Sequence, residues 1–285
     1  MLSSFLCLSF LTLFLYFNRF TLSRSYYSAN AKDGIVILDA FCGCGGNAIA
    51  FGKLSPFSVS QVVCCDIDIV KLRYAAYNAA VYGIPCDKLL FVLCNSLYVM
   101  DQCYRAGELI QSALDRHDSA LSFREEFEGF TIGSLDLLPP HIDAVFMDPP
   151  WGGVNYSAAG KNGYDLSKNM KIRYDLEAAA RGEDIVLPAC ISGGGNDDIP
   201  SESGTIVDGS DLLAMAALAT KGKFVAYDIP RNTNKMSIAR AALAAGYRGN
   251  LKLEEYYLNG RLKTATAFMG WDYGPSGRAS MVNPW

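Results

Sequence analysis

Short apolar segments of strand length alternate with helical segments along this 285-residue chain, and several of the apolar segments end in an aspartate. Three of them are Ile35–Leu38 before Asp39, Gln61–Cys65 before Asp66, and Ile142–Met147 before Asp148. Continuous apolar strands that alternate with helices are typical of a parallel sheet covered on both faces. The sequence therefore predicts an α/β fold with acidic residues at the ends of its strands.

The remaining elements extend this pattern to the end of the chain. Helices are predicted over Asp68–Val81, Asp101–His117, Tyr164–Ala180 and Asn234–Ala245, and further strands over Lys88–Leu93, Lys223–Tyr227, Leu251–Leu258 and Leu262–Met269. The last two strands flank Asn259-Gly260, a pair typical of a hairpin turn. We expect a Rossmann-like, seven-stranded, mostly parallel sheet whose last strand is antiparallel.

Composition favours one folded domain without a metal. Hydrophobic residues make up 51% and charged residues 19%, which excludes a disordered or tail-like protein. The net charge is −4, so any contact with nucleic acid has to be local. Only two histidines are present, and the nine cysteines lack a second pair at zinc spacing. We expect reduced thiols and no metal site.

Three parts of the chain are expected: an N-terminal segment of residues 1–33, a domain of residues 34–272, and a tail of residues 273–285. The domain carries a flexible insert at about 181–207, where Gly, Ser and Asp are frequent. Residues 1–17 carry no charged side chain. Three interpretations of them stay open: a membrane or signal anchor that contacts a membrane, a non-native start of the reading frame, or a hydrophobic helix packed on the domain.

A glycine-rich turn follows the first predicted strand. Asp39 precedes Gly43, Gly45, Gly46 and Asn47. Glycines at a strand-to-helix turn let the backbone approach a ligand closely, and the helix that follows offers N–H groups. The spacing also fits a looser dinucleotide fingerprint. An acid followed by Gly-x-Gly-Gly is typical of S-adenosylmethionine-binding methyltransferases, in which Asp39 would face the ammonium group of the cofactor.

Polar residues after the second and third predicted strands complete the expected cofactor site. Asp66 can accept hydrogen bonds from both hydroxyls of a ribose, although nicotinamide enzymes place an acid similarly. Asp68 is expected to be the N-cap of the next helix. After the third strand, such proteins usually have an acid that accepts a hydrogen bond from the adenine amine. This chain has Asn95-Ser96 there, and we assign Ser96 to hydrogen bonding with the adenine.

The most specific motif is Asp148-Pro149-Pro150-Trp151, after the fourth strand. Methyltransferases that modify an exocyclic amine of a nucleobase carry Asp, Asn or Ser here, then two prolines and an aromatic residue. Such an amine is a poor nucleophile, and its N–H groups can be held by the Asp148 side chain and the Pro149 carbonyl. Trp151 offers a flat face on which a base can stack. Transfer from a sulfonium needs mainly alignment, so no metal is required.

Several motifs together resemble the trimethylguanosine synthase family. They are Asp39 to Asn47, Asp66-Ile67-Asp68, Asn78 with Val81 to Ile84, Pro149 to Gly153 with Tyr156, Pro230-Arg231-Asn232, and Leu262-Lys263-Thr264. The resemblance covers residues 35–157 and 223–270. It implies methylation, by S-adenosylmethionine, of N2 in the 7-methylguanosine cap of small nuclear and nucleolar RNAs, in the nucleus or the cytoplasm.

The resemblance also implies how the capped RNA is bound. Trp151 would stack on the positively charged 7-methylguanine. Tyr156, Arg231 and Lys263 would contact the cap phosphates, and Asn232 belongs to the same substrate site. The family often has Ser where this chain has Asp148, and it has a helical region before the first strand. Two alternatives therefore stay open: an N-methyltransferase acting on another RNA or DNA base, and an inactive cap-binding module that lacks this region.

Overall fold

The computed structural model describes residues 34–116, 123–151, 153–185, 204–248 and 250–270. The strands are β1 (Ile35–Asp39), β2 (Val59–Asp66), β3 (Leu89–Leu93), β4 (Tyr104–Arg105), β5 (Glu108–Leu109), β6 (Arg124–Phe127), β7 (Phe130–Gly133), β8 (Ala144–Met147), β9 (Lys171–Tyr174), β10 (Thr205–Asp208), β11 (Phe224–Pro230), β12 (Leu251–Leu258) and β13 (Arg261–Met269). The α-helices are α1 (Gly46–Gly52), α2 (Ile69–Val81), α3 (Ser96–Tyr98), α4 (Gln111–Arg116), α5 (Leu166–Asn169), α6 (Leu176–Arg181), α7 (Gly209–Ala219) and α8 (Lys235–Ala244). A π-helical turn, Val99–Cys103, continues α3, and 3-10 turns span Leu135–Leu137 and Gly153–Ala159.

Nine strands form the main sheet, in the order β12-β13-β11-β8-β1-β2-β3-β7-β6. The strands from β11 to β3 are parallel to their neighbours, whereas β13 is antiparallel to both β11 and β12. A mostly parallel sheet with an antiparallel last strand is therefore confirmed. The chain leaves β1 toward β2 on one side and returns as β8 on the other. This reversal creates a crevice at the carboxyl ends of β1 and β8, the usual ligand site of open α/β sheets.

Helices cover both faces of the sheet, as the continuous apolar strands predict. On one face, α1 and α2 pack on Ile37, Cys64, Phe146 and other side chains of the central strands. On the other face, α7 and α8 pack on Leu38, Met147 and their neighbours. Successive residues of each strand thus face opposite layers, and this alternation decides which side chains meet at the carboxyl ends.

The predicted count of seven strands is wrong, because β6 and β7 extend the sheet beyond β3. They form a hairpin whose turn residues, Glu128 and Gly129, have φ of 52° and 84°. Arg73 of α2 pairs with Glu125 of β6 at 2.9 Å and fixes the hairpin to the helix layer. The exposed edge strand is rich in charge, which conceals its strand character in the sequence.

The helix predicted over Asp101–His117 is also wrong. Ala106 and Gly107 both have positive φ, 51° and 86°, and they turn the chain between the two-residue strands β4 and β5. The Tyr104 hydroxyl donates to the Pro139 carbonyl at 2.7 Å and anchors this turn in the core. Within the described part of this range, α-helix is confined to α4, and the π-helical turn ends at Cys103.

The helix expected over Tyr164–Ala180 is replaced by α5, β9 and α6. Asp165 and Asp175 each cap the N-terminus of a short helix, and β9 lies between the two. β9 pairs with β10, so a strand begins inside the expected insert, at Thr205. The rest of that insert from residue 186 to 203, the segment of residues 1–33 and the expected tail lie outside the described residues. Where the structure is described, it contains no helix with the length and apolar character of a membrane span.

Candidate active site

Asp39, Asp66 and Asp148 come together at the carboxyl edge of the sheet, as the sequence predicts. Asp39 ends β1, Asp66 ends the neighbouring β2, and Asp148 follows β8 on the other side of β1. The charges of Asp148 and Asp66 both act on the Asp39 carboxyl. The three predicted acids therefore border one crevice.

The glycine turn after β1 is fixed from both sides. The Gly43 amide donates to the Asp66 carboxylate at 2.9 Å, and the Asn78 side chain of α2 donates to the Cys44 carbonyl at 3.0 Å. Gly45 has φ of 83°, and a Cβ there would lie 2.9 Å from the Ala75 Cβ. Only glycine fits this position without displacing α2.

Gly46 and Asn47 open α1 directly beyond this turn. The cap position itself carries no side-chain hydrogen bond. The N-terminal amides of α1 thus lie beside the crevice, which suits a polar ligand.

Asp39 is fully buried, and neither carboxyl oxygen has a hydrogen-bond partner among the described residues. Burial, with the negative charges of Asp148 and Asp66, raises the pKa of Asp39 to about 8. The backbone amides of Phe41 and Ala48 oppose this rise without making well-formed hydrogen bonds. A buried carboxyl without a partner is costly, so Asp39 is prepared to bind a cation or a donor.

Asp66 holds the turn and also remains available to a ligand. One carboxylate oxygen accepts from the Gly43 amide and the other from the Asp68 amide at 3.0 Å. Each oxygen keeps a second lone pair. Asp68 accepts from the amides of Val70 and Lys71, so its predicted role as the N-cap of α2 is confirmed.

The segment after β3 differs from a simple adenine site. Ser96 is buried, and its hydroxyl donates to the Ala40 carbonyl. Asn95 caps α3 through its side-chain oxygen, while its amide nitrogen donates to Asp184, which follows α6. Ser96 therefore supports the loop after Asp39, and its contact with a cofactor stays a prediction. The sequence around Asn95 gives no signal for Asp184, which is 89 residues away.

Asp148 and Trp151 border the crevice on the other side of β1. Burial raises the pKa of Asp148 to about 6. Trp151 is partly buried and meets the edge of the Tyr156 ring, with ring centroids 5.9 Å apart and planes at 82°. The Tyr164 hydroxyl donates to the Trp151 carbonyl at 3.1 Å and fixes the backbone after the two prolines. The Trp151 indole nitrogen is buried and has no partner among the described residues.

The other predicted substrate residues converge on the same region. Asn232 is buried, and its amide nitrogen donates to the carbonyls of Tyr156 at 2.9 Å and Gly160 at 3.1 Å. It therefore holds the turn that carries Tyr156. In the antiparallel register of β11 and β13, Pro230 pairs with Thr264. The next pair along this register would be Arg231 and Lys263, so these two residues stand opposite each other. Two cations at one strand end suit a phosphate.

Asp228 of β11 was not predicted as part of the site. Its carboxylate accepts from the hydroxyls of Thr264 at 3.1 Å and Thr266 at 2.8 Å, both in β13. The sequence signal is a single acid within an apolar strand, which points to a specific use for that acid.

Most of the cysteines near the site are buried thiols, whereas Cys44 of the glycine turn is exposed. Cys42 and Cys64 are buried on the α1 and α2 face of the sheet, and Cys65 and Cys94 on the opposite face. A hydrogen bond with Cys64, together with burial, raises the pKa of Cys42. Among the described ranges, no group of three or more His, Cys, Asp or Glu side chains is arranged to hold a metal ion.

The strand order, the glycine turn and the acids at the reversal of the sheet define a Rossmann-like methyltransferase. The sequence profile of the RNA cap guanine-N2 methyltransferase family matches residues 34–272. The chain belongs to this family.

Two individual proteins are similar to this chain. The trimethylguanosine synthase of Schizosaccharomyces pombe is 30% identical over 141 residues, which are 50% of this chain and 43% of that relative. The chain thus matches less than half the length of this relative. A crystal structure of a Clostridium thermocellum protein, assigned as an rRNA methylase, covers 87% of this chain and 94% of its own, with a TM-score of 0.38 and 11% identity. The assignment of the fold rests on the strand order of the sheet.

Proposed function

We propose that this chain uses S-adenosylmethionine to methylate N2 of the 7-methylguanosine cap of small nuclear or nucleolar RNA, in the nucleus or the cytoplasm. One observation carries the proposal: Asp148 and Trp151 lie at the crevice, separated by two prolines. Asp148 can accept a hydrogen bond from an amine, and Trp151 offers a surface on which a base can stack. Family membership supports the same reaction.

The crevice fits the proposed cofactor. Asp39 supplies a buried carboxyl for the ammonium group, and Asp66 has lone pairs for the ribose hydroxyls. The turn of Gly43 and Gly45 brings the backbone, without side chains, to the opening of the crevice. When bound, the cofactor supplies a methyl group activated by a cationic sulfur. It needs no nucleophilic side chain from the protein.

The chain's own residues prepare the substrate amine. The Asp148 carboxylate and the Pro149 carbonyl accept hydrogen bonds from the amine, which orients its nitrogen. The nitrogen becomes more positive during transfer, so an anionic acceptor is most valuable at that stage. Asp148 then takes the proton that the amine loses.

Selectivity for a methylated cap comes from Trp151. A 7-methylguanine is positively charged and plain guanine is not, and an indole face attracts such a cation by about 0.5–2 kcal/mol. Tyr156 packs on the ring and keeps it in place. Arg231 and Lys263 add charge-assisted contacts to the cap phosphates, so an acidic protein can still bind RNA locally.

The proposal is tested by methyl transfer from labelled cofactor to 7-methyl-GTP and to GTP, measured side by side. Wild type should prefer 7-methyl-GTP. Trp151→Ala should lose that preference and nearly all transfer, because stacking also aligns the amine, and Trp151→Phe should keep part of both. Tyr74→Ala, an exposed aromatic residue of α2, is the matched control and should change neither.

Two results would contradict the proposal. Equal transfer to both nucleotides, or a Trp151→Ala variant that still prefers 7-methyl-GTP, would favour a methyltransferase for another base. Binding of S-adenosylhomocysteine without transfer to either nucleotide, or to capped RNA, would favour an inactive cap-binding module.

A further inference from the structure

The carboxyl end of β3 lies next in line after the two acids proposed to hold the cofactor. Asp39 ends β1, Asp66 ends β2, and in the parallel register of β2 and β3 Asp66 pairs with Leu93. The Cys94 amide donates to the Asp66 carbonyl at 3.1 Å, so the chain stays beside β2 up to Asn95. A cofactor with its ammonium group at Asp39 and its ribose at Asp66 would therefore present its base to Asn95.

A distant segment crosses the edge of the sheet at this point. Ala180, near the end of α6, packs on the α7 and α8 face of the sheet, whereas Ile185 packs on the α1 and α2 face. Gly182 ends α6 with φ of 65°, a left-handed conformation that lets the chain turn away from the helix. The residues from Gly182 to Ile185 thus pass over the carboxyl end of β3, where Asp184 meets Asn95.

Asn95 and Asp184 form a donor–acceptor pair of fixed orientation. The Asn95 side-chain oxygen accepts from the Leu97 amide at 2.8 Å, which directs the side-chain nitrogen to the other side, where it donates to the Asp184 carboxylate. An amide nitrogen carries two hydrogens, and a carboxylate accepts at both oxygens. The pair can therefore offer a ligand a donor and an acceptor side by side.

This order of donor and acceptor matches the edge of adenine. Adenine has an exocyclic amine, which donates, next to the ring nitrogen N1, which accepts. Hypoxanthine has a carbonyl in place of the amine and a hydrogen on N1, so its donor and acceptor are exchanged. A carboxylate has no hydrogen to give that carbonyl, which leaves two acceptors facing each other. Ser96 offers no donor instead, because its hydroxyl donates to the Ala40 carbonyl.

We propose that Asp184 determines the specificity of the cofactor site for adenine: its carboxylate accepts a hydrogen bond from the exocyclic amine, while Asn95 donates to N1. The assignment rests on the proposed function for the identity of the cofactor. The acid that recognises the base thus stands on the segment after α6, 89 residues from Asn95, instead of directly after β3. This segment thereby becomes part of the cofactor site.

Titration calorimetry with S-adenosylhomocysteine and with S-inosylhomocysteine, its analogue that carries hypoxanthine, tests the assignment without any turnover. Wild type should bind the adenine compound more tightly, by about tenfold or more. Asp184→Ala should reduce this ratio to less than about threefold, because neither base then meets a carboxylate. Asp184→Asn should reduce it too, since an amide can accept from the amine or donate to the carbonyl. This second variant also keeps an acceptor for Asn95, so it serves where the alanine variant is unstable.

Glu183→Gln is the matched control. Glu183 is the exposed neighbour of Asp184 and pairs with Arg181 at 2.6 Å, so loss of its charge should leave the ratio unchanged. If the Asp184 variants weaken both compounds equally, or keep the wild-type ratio, Asp184 only supports the loop around Asn95 and the assignment is overturned. A wild type that binds both compounds equally well overturns it too, while the cofactor stands. If wild type binds neither compound, the proposed cofactor itself fails, and the role of Asp184 fails with it.

Discussion

Asp39 shows how far the fold changes the chemistry of a single side chain. Its carboxyl is fully buried and lacks a hydrogen-bond partner among the described residues, and burial raises its pKa from the ordinary range of an aspartate to about 8. At pH 7 it is therefore mostly protonated in the free protein. A cationic ligand would favour the ionised form, so its binding has to be linked to release of a proton.

This linkage predicts a pH-dependent affinity for S-adenosylhomocysteine, which keeps the ammonium group of the cofactor. The affinity of wild type should rise between pH 6 and pH 8, by at most about tenfold per pH unit, because more Asp39 is then ionised. Asp39→Asn should bind more weakly at pH 8 and show a flatter profile. Titration calorimetry at several pH values measures both, with exposed Asp87→Asn as the control.

The interpretation fails if wild type binds equally well at pH 6 and pH 8. It also fails if Asp39→Asn retains the full slope, since another group would then be the one that titrates. Calorimetry in two buffers of different ionisation enthalpy adds a direct count of protons released, which should fall in the variant.

Among the elements, the turn after the two prolines depends most on a distant loop. The Gly153–Ala159 turn carries Tyr156, and Asn232 in the loop between β11 and α8 donates to the carbonyls of Tyr156 and Gly160. The motif Pro230-Arg231-Asn232 thus has two uses. Its arginine faces solvent, and its asparagine joins two elements that border the same crevice.

Asn232→Ala should loosen this turn. Loss of two partly buried hydrogen bonds should lower the free energy of unfolding by about 1–3 kcal/mol. KM for 7-methyl-GTP should rise more than kcat falls, because Tyr156 no longer supports Trp151, while the affinity for S-adenosylhomocysteine should not change. Asn169→Ala, which removes a local hydrogen bond to the Asp165 amide, is the control. An Asn232→Ala variant with reduced cofactor affinity and unchanged KM would contradict this assignment.

The sequence predicts the elements that carry strong local signals. α2 begins at its expected cap, Asp68, and α8 begins after Asn234, where the predicted helix starts. Asn259 and Gly260 both have positive φ, as a two-residue hairpin turn requires. The acids at strand ends were found because a charge that ends an apolar run is conspicuous in the sequence.

Other elements depend on contacts that no local pattern records. β6 is polar because it is an edge strand, and its partner β7 joins the sheet only by pairing with β3. Asp184 reaches Asn95 through tertiary folding alone. In the sequence, Asp228 is an isolated acid. Only the strand order, which places β11 next to β8, shows that it lies near the site. Long-range pairing, rather than propensity, therefore decides these positions.

At the scale of the whole molecule, every functional feature lies at one edge of the sheet. The glycine turn, the acids, Trp151 and the Arg231–Lys263 pair follow the carboxyl ends of β1, β2, β8 and β11 or the start of β13. The opposite edge holds the start of β1, where Gly34 packs against Pro56 and Ser60. The described domain thus begins at the edge away from the crevice.

This geometry predicts that the described domain does not need the apolar segment of residues 1–17 for folding. A chain that begins at Ser25 should keep the Tm of the full chain within a few degrees and should bind S-adenosylhomocysteine with the same affinity, because the strands and helices that border the crevice all follow Gly34. It should also be more soluble, since an uncharged apolar segment exposed to water promotes association. Thermal denaturation and calorimetry on the two chains, side by side, make the comparison. If the shortened chain fails to fold while the full chain folds, the segment is part of the core and the boundary at residue 34 is wrong. If it folds but loses only its affinity for the cofactor product, the residues before Ser25 reach the crevice and contribute to closing it.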